Sequence, residues 1–195
     1  MKLLNIMLSL SLSLSALAAT KSYEIKSEKS KVGFEIFKFK ISSPVFGEFK
    51  KFDGSFSYDE SKKTLSNIAV TIDASSVDTQ EEKRDKHLRS ADFFDVDNHK
   101  ALVFKSAKPV VLKNGKAKIK GTLTMRGKTK EVELDVELKD TKDGLHFVGK
   151  TKVDRNDFGI SWNSTFSVAD ISKNVLGDEV KIDIEVYSSQ KKNKT

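Results

Sequence analysis

The sequence predicts an all-β protein, an antiparallel barrel of about eight strands with one helix in a long connection. Apolar and polar residues alternate along most of the 195-residue chain, so one face of each strand turns inward and the other faces water. Only residues 76–106 interrupt this alternation with a strongly helical pattern. A single helix cannot cover the apolar face of so long a sheet, and we therefore expect the sheet to close on itself.

The alternating runs place the strands in order along the chain. The pattern is clearest in residues 131–139 and 180–186, where every second residue is apolar. Tight hairpin turns are predicted where glycine can accept a positive φ angle, at Asn114 with Gly115, Arg126 with Gly127, and Asp143 with Gly144. The predicted strands cover about residues 22–27, 31–41, 46–58, 64–73, 100–112, 115–125, 130–139 and 145–154, with a final strand near 178–188.

The interrupting segment, residues 76–106, is predicted to contain the helix. Thr79 or Asp78 can cap it, because their side-chain oxygens accept hydrogen bonds from the first backbone N–H groups. Glu81 and Glu82 then fall in the first turn, where the helix dipole favours negative charge.

The first 18 residues have the features of a secretory signal peptide. Lys2 precedes an apolar, serine-rich stretch, and Ala16, Leu17 and Ala18 form the small-x-small pattern that signal peptidase recognises. We expect cleavage near Ala18 and a single mature domain of residues 19–195. No later stretch approaches the roughly 20 apolar residues of a membrane span, so we expect no integral membrane segment in the mature protein. The chain has no cysteine, which excludes disulfides and thiolate metal sites.

The chain has a net charge of +7, which raises the question of an anionic partner. Nucleic acid is not expected, because the lysines are spread along strand faces and no aromatic stacking pattern accompanies them. The basic residues indicate a solvated surface or, as an alternative, a surface attracted to anionic lipid headgroups.

Motifs for catalysis are missing, and we do not expect an enzyme. The acidic residues at 92, 95 and 97 lack the glycine and the closing glutamate of a calcium loop. Neither a nucleophile elbow nor a phosphate-binding glycine-rich loop occurs. The chain has three histidines, His87, His99 and His146, and none has a second histidine at the close spacing of a metal site. The sequence therefore predicts no catalytic residue, no metal site and no conventional cofactor.

Thirteen phenylalanines, against one tryptophan and three tyrosines, indicate a core or cavity with few polar groups. Phe93 and Phe94 follow the helical pattern and must cover apolar surface, because two adjacent rings are too apolar for a solvated loop. A barrel of eight strands is wide enough to hold one small ligand. The rings therefore either fill the lumen as ordinary core or line a cavity. Candidates for the inner face in the first half of the chain are Phe34, Ile36, Phe46 and Phe49.

Four segments carry a further signal, namely residues 30–59, 76–106, 121–136 and the sequence RNDFGISW at 155–162. Together, and in this order, they resemble the YceI-like, polyisoprenoid-binding family of secreted bacterial proteins. The resemblance implies a lipocalin-like, extended eight-stranded antiparallel β-barrel that encloses a long-chain isoprenoid or similar amphiphile in an apolar tunnel. It also implies a periplasmic location, and homodimers occur among proteins of this fold.

The resemblance places an apolar tail in the tunnel and a polar head at its mouth. Arg84, His87 and Arg155 are the candidates to bind the head through charge-assisted hydrogen bonds. Alternatively, Arg84 with Asp85, and Arg155 with Asp157, form ion pairs that hold the helix and a loop on the barrel. The candidate tunnel residues are Phe34, Ile36, Phe46, Phe49, Phe93, Phe94, Met125, Phe158 and Trp162.

The sequence thus predicts a secreted, periplasmic lipid-binding protein. Its ligand would be a polyisoprenoid, an isoprenoid quinone, or a fatty acid or amide, held for transport, storage or sequestration. The driving force would be burial of apolar surface, worth about 25 cal/mol per Å². The alternative hypothesis is a stress-related barrel whose phenylalanines fill the lumen and which acts through its surface or a homodimer interface.

Overall fold

The computed structural model describes residues 20–38, 43–141, 144–162 and 176–191. The predicted signal peptide, residues 1–18, lies outside the described residues. One α-helix, α1 (Glu82–Arg89), and three short 3-10 turns accompany the strands. The strands are β1 (Lys21–Ile25), β2 (Lys31–Lys38), β3 (Ser43–Phe49), β4 (Phe52–Asp59), β5 (Thr64–Asp73), β6 (Val77–Asp78), β7 (Ala101–Ser106), β8 (Val110–Val111), β9 (Lys116–Met125), β10 (Lys128–Thr141), β11 (Gly144–Asp154) and β12 (Leu176–Gln190).

Eight of these strands form a closed antiparallel ring. Its order is β1, β4, β5, β7, β9, β10, β11 and β12, and pairing of β12 with β1 closes it. β2 and β3 extend the ring beyond β1 and β4, because β2 also pairs with β12 and β3 pairs with β2. The predicted eight-stranded antiparallel barrel with one helix in a long connection is therefore confirmed.

Most predicted strands match the observed ones, but some are divided. The predicted strand 46–58 is divided at Lys50 and Lys51 into β3 and β4, and the predicted strand 100–112 contains both β7 and β8. Two of the predicted turns are confirmed by positive φ angles, 51° and 77° at Asn114 and Gly115, and 50° and 70° at Arg126 and Gly127. At the third, Gly144 pairs with Thr141 as a strand residue, and Asp143 lies outside the described residues.

The predicted helix cap is wrong, because the helix begins later. Glu81 caps α1, and its carboxylate accepts a hydrogen bond from the backbone N–H of Lys83. Thr79 instead donates its hydroxyl and its backbone N–H to the buried carboxylate of Asp85, at 2.5 and 2.9 Å. Asp78 accepts from the backbone N–H of Gln80. These local bonds delay the first helical turn.

Two apolar clusters fill the ends of the barrel. The helix-end cluster lies beneath α1 and contains Phe49, Phe93 and Phe158. The far-end cluster contains Tyr23, Phe56 and Phe147, and the Phe56 ring contacts the other two. No helix among the described ranges is long and apolar enough to cross a membrane.

Arg155 holds the start of β12 against the 3-10 turn at Arg155–Phe158. Its side chain is nearly inaccessible, with 2% of the residue exposed. Burial lowers the pKa of the guanidinium, and the neighbouring Asp178 opposes that shift. All five N–H groups donate hydrogen bonds, and the acceptors are the carbonyls of Ile160, Trp162, Leu176 and Gly177 and the carboxylate of Asp178. Arg155 therefore ties two distant segments of chain together.

We expect Arg155→Met to lower the free energy of unfolding by about 3 kcal/mol, because it leaves four carbonyls without their donors. Arg155→Lys should restore only part of this loss, since an ammonium lacks the five donors of the planar guanidinium. Urea unfolding monitored by circular dichroism measures both changes. A loss below about 1 kcal/mol for Arg155→Met would show that the hydrogen bonds contribute little.

Candidate functional site

An apolar tunnel runs inside the barrel between the two clusters. Its volume is about 230 Å³, and its wall includes residues from both clusters. Phe93 and Leu88 line it at the helix end, and Phe147 and Ile119 line it at the other end. Protein interiors normally contain few voids larger than a water molecule, so this space is unusual for a packed core.

Strand alternation decides which residues face the tunnel. Phe34 and Ile36 on β2, which lie on one face of the strand, line it, as expected for these two candidate tunnel residues. Phe49 on β3 lines it as well. Phe46 does not, since its side chain is 63% exposed on the outer face, beside Glu35. The prediction for Phe46 is wrong because residues three apart in a regular strand point to opposite faces, so Phe46 and Phe49 cannot both face inward.

Glycine in the wall leaves room for the aromatic rings. Gly47 lies directly opposite Phe34 on the neighbouring strand, and a Cβ at this position would overlap the Phe34 ring. A Cβ at Gly121 would lie 2.7 Å from the ring of Phe104. Both rings therefore lie against the wall of the barrel instead of crossing its lumen.

The remaining predicted tunnel residues lie at the helix end. Phe93, Phe94 and Met125 line the tunnel, so the prediction that Phe93 and Phe94 cover apolar surface is confirmed. Phe158 is 1% exposed and lies in the helix-end cluster without reaching the tunnel wall. Trp162 packs at the edge of that cluster, with its ring centre 5.4 Å from that of Phe93.

Arg155 reaches the tunnel wall but cannot bind a ligand head as predicted. All five of its N–H groups already donate to protein acceptors. The alternative pairing with Asp157 is also wrong, because Asp178 accepts from Arg155 and Asp157 pairs with Lys130. The role of Arg155 is therefore structural.

Arg84 and His87 lie on α1, which covers the helix end. The Nε and Nη2 atoms of Arg84 donate to the hydroxyl and carbonyl oxygens of Thr79, at 2.7 and 2.8 Å. The methyl group of Thr79 in turn lies beside Gly47, which is paired with Phe34 of the tunnel wall. No described residue accepts a hydrogen bond from Nη1 of Arg84, which leaves donors for a ligand. Asp85 binds Thr79 as well, so it and Arg84 share one partner.

His87 occupies an aromatic setting at the same end. Its Nε2 lies 2.9 Å from a carboxylate oxygen of Asp92, and its ring meets Phe93 and Trp162 edge-on, with centres 5.0 Å apart in both cases. His87 therefore connects α1 to the turn after it and to the segment before β12.

Sequence reasoning missed much of the tunnel wall. The missed residues share the inward alternation of β5, β7, β11 and β12, which the same pattern could have identified once the lumen was known to be open. Examples are Val70, Phe104, Phe147, Ile182 and Ile184.

Comparison with known proteins gives a consistent result. A model of the YceI-like domain matches residues 23–187 of the chain. A UPF0312 protein of Vibrio cholerae is 38% identical over 141 residues, which cover 69% of this chain and 75% of that relative.

Two solved structures share the fold. BcnA of Burkholderia cenocepacia has a TM-score of 0.70 at 24% identity, over 83% of this chain and 98% of that chain. A polyisoprenoid binding domain from Saccharophagus degradans has a TM-score of 0.65 at 14% identity, over 88% of this chain and 99% of that one. With a family model that spans nearly the whole described barrel, the chain belongs to the YceI-like domain family.

Proposed function

We propose that this protein encloses the tail of a long-chain amphiphile in its apolar tunnel and performs no chemistry on it. The ligand would be a polyisoprenoid, an isoprenoid quinone, or a fatty acid or amide. The protein would carry, store or sequester this ligand in the periplasm. The observation that supports the proposal most directly is the tunnel itself, whose wall is apolar from one core cluster to the other.

The energetics of the empty tunnel favour a ligand. An unfilled apolar cavity of about 230 Å³ costs about 5.5 kcal/mol, at roughly 24 cal/mol per Å³. That cost is comparable with the entire stability of a small domain, about 5–15 kcal/mol, and an apolar tail would remove it. By proportion with a cavity of roughly 150 Å³ that binds benzene, the tunnel holds roughly nine carbons, close to two isoprene units. A longer tail would extend through the mouth or displace wall side chains.

Arg84 is the residue that we propose to bind the polar head. It lies on α1 at the helix end, its partner Thr79 lies beside Gly47 of the barrel wall, and its Nη1 donors are unused by the described residues. A guanidinium binds carboxylate or phosphate oxygens strongly. The head of the ligand would therefore lie under α1, with its tail directed toward the far-end cluster.

We expect protein purified without detergent to retain one lipid molecule, detectable by native mass spectrometry and identifiable after extraction. Removal of that lipid should lower the melting temperature by about 5–10 °C, because a ligand at a hundred times its Kd contributes about 2.7 kcal/mol. Protein that carries no lipid and takes up none from a panel of prenyl and fatty-acyl compounds would instead support the self-filled barrel.

We expect Phe34→Trp to reduce ligand affinity at least tenfold, since the larger indole occupies part of a tunnel of about 230 Å³. Phe46→Trp is the matched control, because it makes the same change on the same hairpin but on the outer face, where Phe46 is 63% exposed. A fluorescent fatty-acid displacement assay measures both affinities, and melting curves establish that both variants fold. Equal binding by the two variants would contradict the tunnel as the binding site.

We expect Arg84→Gln to weaken binding of a prenyl phosphate by about tenfold and to leave binding of the corresponding prenyl alcohol unchanged, because only the charged head gains from a guanidinium. Arg89→Gln is the control. It removes the same charge from α1, where Arg89 also donates to backbone carbonyls, those of Ser75 and Val77. The ratio of the two affinities reports on head recognition alone, and an unchanged ratio in Arg84→Gln would remove Arg84 from the site.

A further inference from the structure

The basic residues of the chain are unevenly distributed. Residues 98–130 contain ten lysine and arginine residues and no acidic residue. The chain has 35 basic and 28 acidic residues, so the rest of it carries 25 basic against 28 acidic residues. The entire positive net charge of the protein therefore originates in one continuous segment, which forms β7, β8, β9, the turns around them and the start of β10.

Most of this charge lies on one outer wall of the barrel. On β9, lysines at every second position point outward and are exposed. β7 pairs with β9 directly, so its lysine lies on the same face, and a bridge between Lys113 and Lys116 places the connecting loop beside them. We name this surface the lysine wall, formed by Lys105, Lys108, Lys113, Lys116, Lys118 and Lys120.

The lysine wall differs from the other charged walls in its ion pairing. Lys116 and Lys118 pair with carboxylates on β10. No carboxylate of the described residues pairs with the other members, Lys105, Lys108, Lys113 and Lys120. Lys120 lies opposite Glu133 in the register, but Glu133 pairs with Lys118. Across the barrel, the lysines of β11 and β12 each form an ion pair, Lys150 with Asp183, Lys152 with Glu179 and Lys181 with Glu35, at 2.9–3.1 Å.

An exposed apolar residue accompanies the unpaired lysines. Val111 on β8 is 54% exposed, although a valine in a strand is normally covered. It lies between Lys108 and Lys113 in the chain and pairs with Thr64, the residue after Lys63. Unpaired cations around an exposed apolar side chain are the combination that binds an anionic membrane surface, where the charges meet the headgroups and the apolar group enters the interface.

We propose that the lysine wall docks this protein on an anionic phospholipid surface, with Val111 at the interface. We favour a bilayer over nucleic acid for two reasons. Val111 offers an apolar side chain to the interface, and the lysine wall contains no aromatic ring on which bases could stack. The choice also rests in part on the proposed function, since a protein that takes up a lipid must meet the membrane that contains it. The inference names a surface outside the tunnel and requires no tunnel residue.

The test is sedimentation of the full chain with vesicles, some of phosphatidylcholine alone and others with about 30% phosphatidylglycerol. We expect binding to the anionic vesicles only, with a loss when salt is raised well above about 0.1 M. A variant with Lys105→Gln, Lys108→Gln, Lys113→Gln and Lys120→Gln should bind at least tenfold more weakly. The control variant carries Lys150→Gln, Lys152→Gln, Lys181→Gln and Lys191→Gln, which remove the same net charge from ion-paired positions.

The outcomes separate the inference from the proposed function. Retained binding by the control and loss by the wall variant support the inference, and a further loss in Val111→Ser places Val111 at the interface. Equal losses in both variants, no binding to anionic vesicles, or binding to DNA without binding to vesicles would overturn it. Uptake of a fatty-acid probe from solution is measured on the same samples. If uptake persists without vesicle binding, the membrane inference fails and the tunnel proposal stands.

Discussion

The closed barrel depends on the pairing of β12 along both of its edges. One edge pairs with β11, and the other pairs first with β2 and then with β1. A sheet that lacked the contact with β1 would expose two unpaired edges and leave its apolar face without cover. Arg155 anchors the first described residues of β12, because its guanidinium donates to the carbonyls of Leu176 and Gly177. The lumen therefore exists because one long strand is anchored at its start and paired along its length.

An open lumen is unexpected in a chain with thirteen phenylalanines. It results from the placement of glycine on the inner face, where Phe34 lies over Gly47 and Phe104 lies over Gly121. Because glycine has no side chain, each ring can occupy the space beside the backbone and leave the centre of the barrel free. The number of large side chains therefore does not determine whether a barrel is filled, since the positions of the smallest residues decide how the large ones are oriented.

The two ends of the tunnel are chemically different. At the far end, the Phe56 ring stacks on Tyr23 and meets Phe147 edge-on, so this end is built from aromatic rings. At the helix end, Arg84 and Asp85 hold Thr79 in a polar network under α1. A tube with an apolar floor and a polar rim suits a molecule with a tail and a head, and it gives that molecule one orientation. Charge on the outside is unevenly distributed as well, since four lysines of the lysine wall form no ion pair with the described residues, whereas the lysines of β11 and β12 are paired.

Much of the fold could be read from the sequence, because alternation and turn glycines act over a few neighbouring residues. Phe34 and Ile36 could be placed on one face, and the turns at Asn114 and Arg126 follow from the φ angles that tight hairpins require. Local patterns also located the helix. Its cap was misplaced because Thr79 donates a hydrogen bond to Asp85, and helix propensities do not predict such a specific side-chain contact. The site was only partly predictable, because the type of a residue does not determine which other residues it contacts in the folded chain.

The sequence by itself determined that the chain is an antiparallel barrel with an apolar inner face, since strand period and composition are properties of each segment alone. Only the tertiary structure decided that Phe46 faces outward, that every donor of Arg155 is already used, and that the lumen stays open. These features depend on strand register and on contacts between residues that are distant in the chain. Alternation repeats every two residues and leaves both faces equivalent until a second strand pairs with the first.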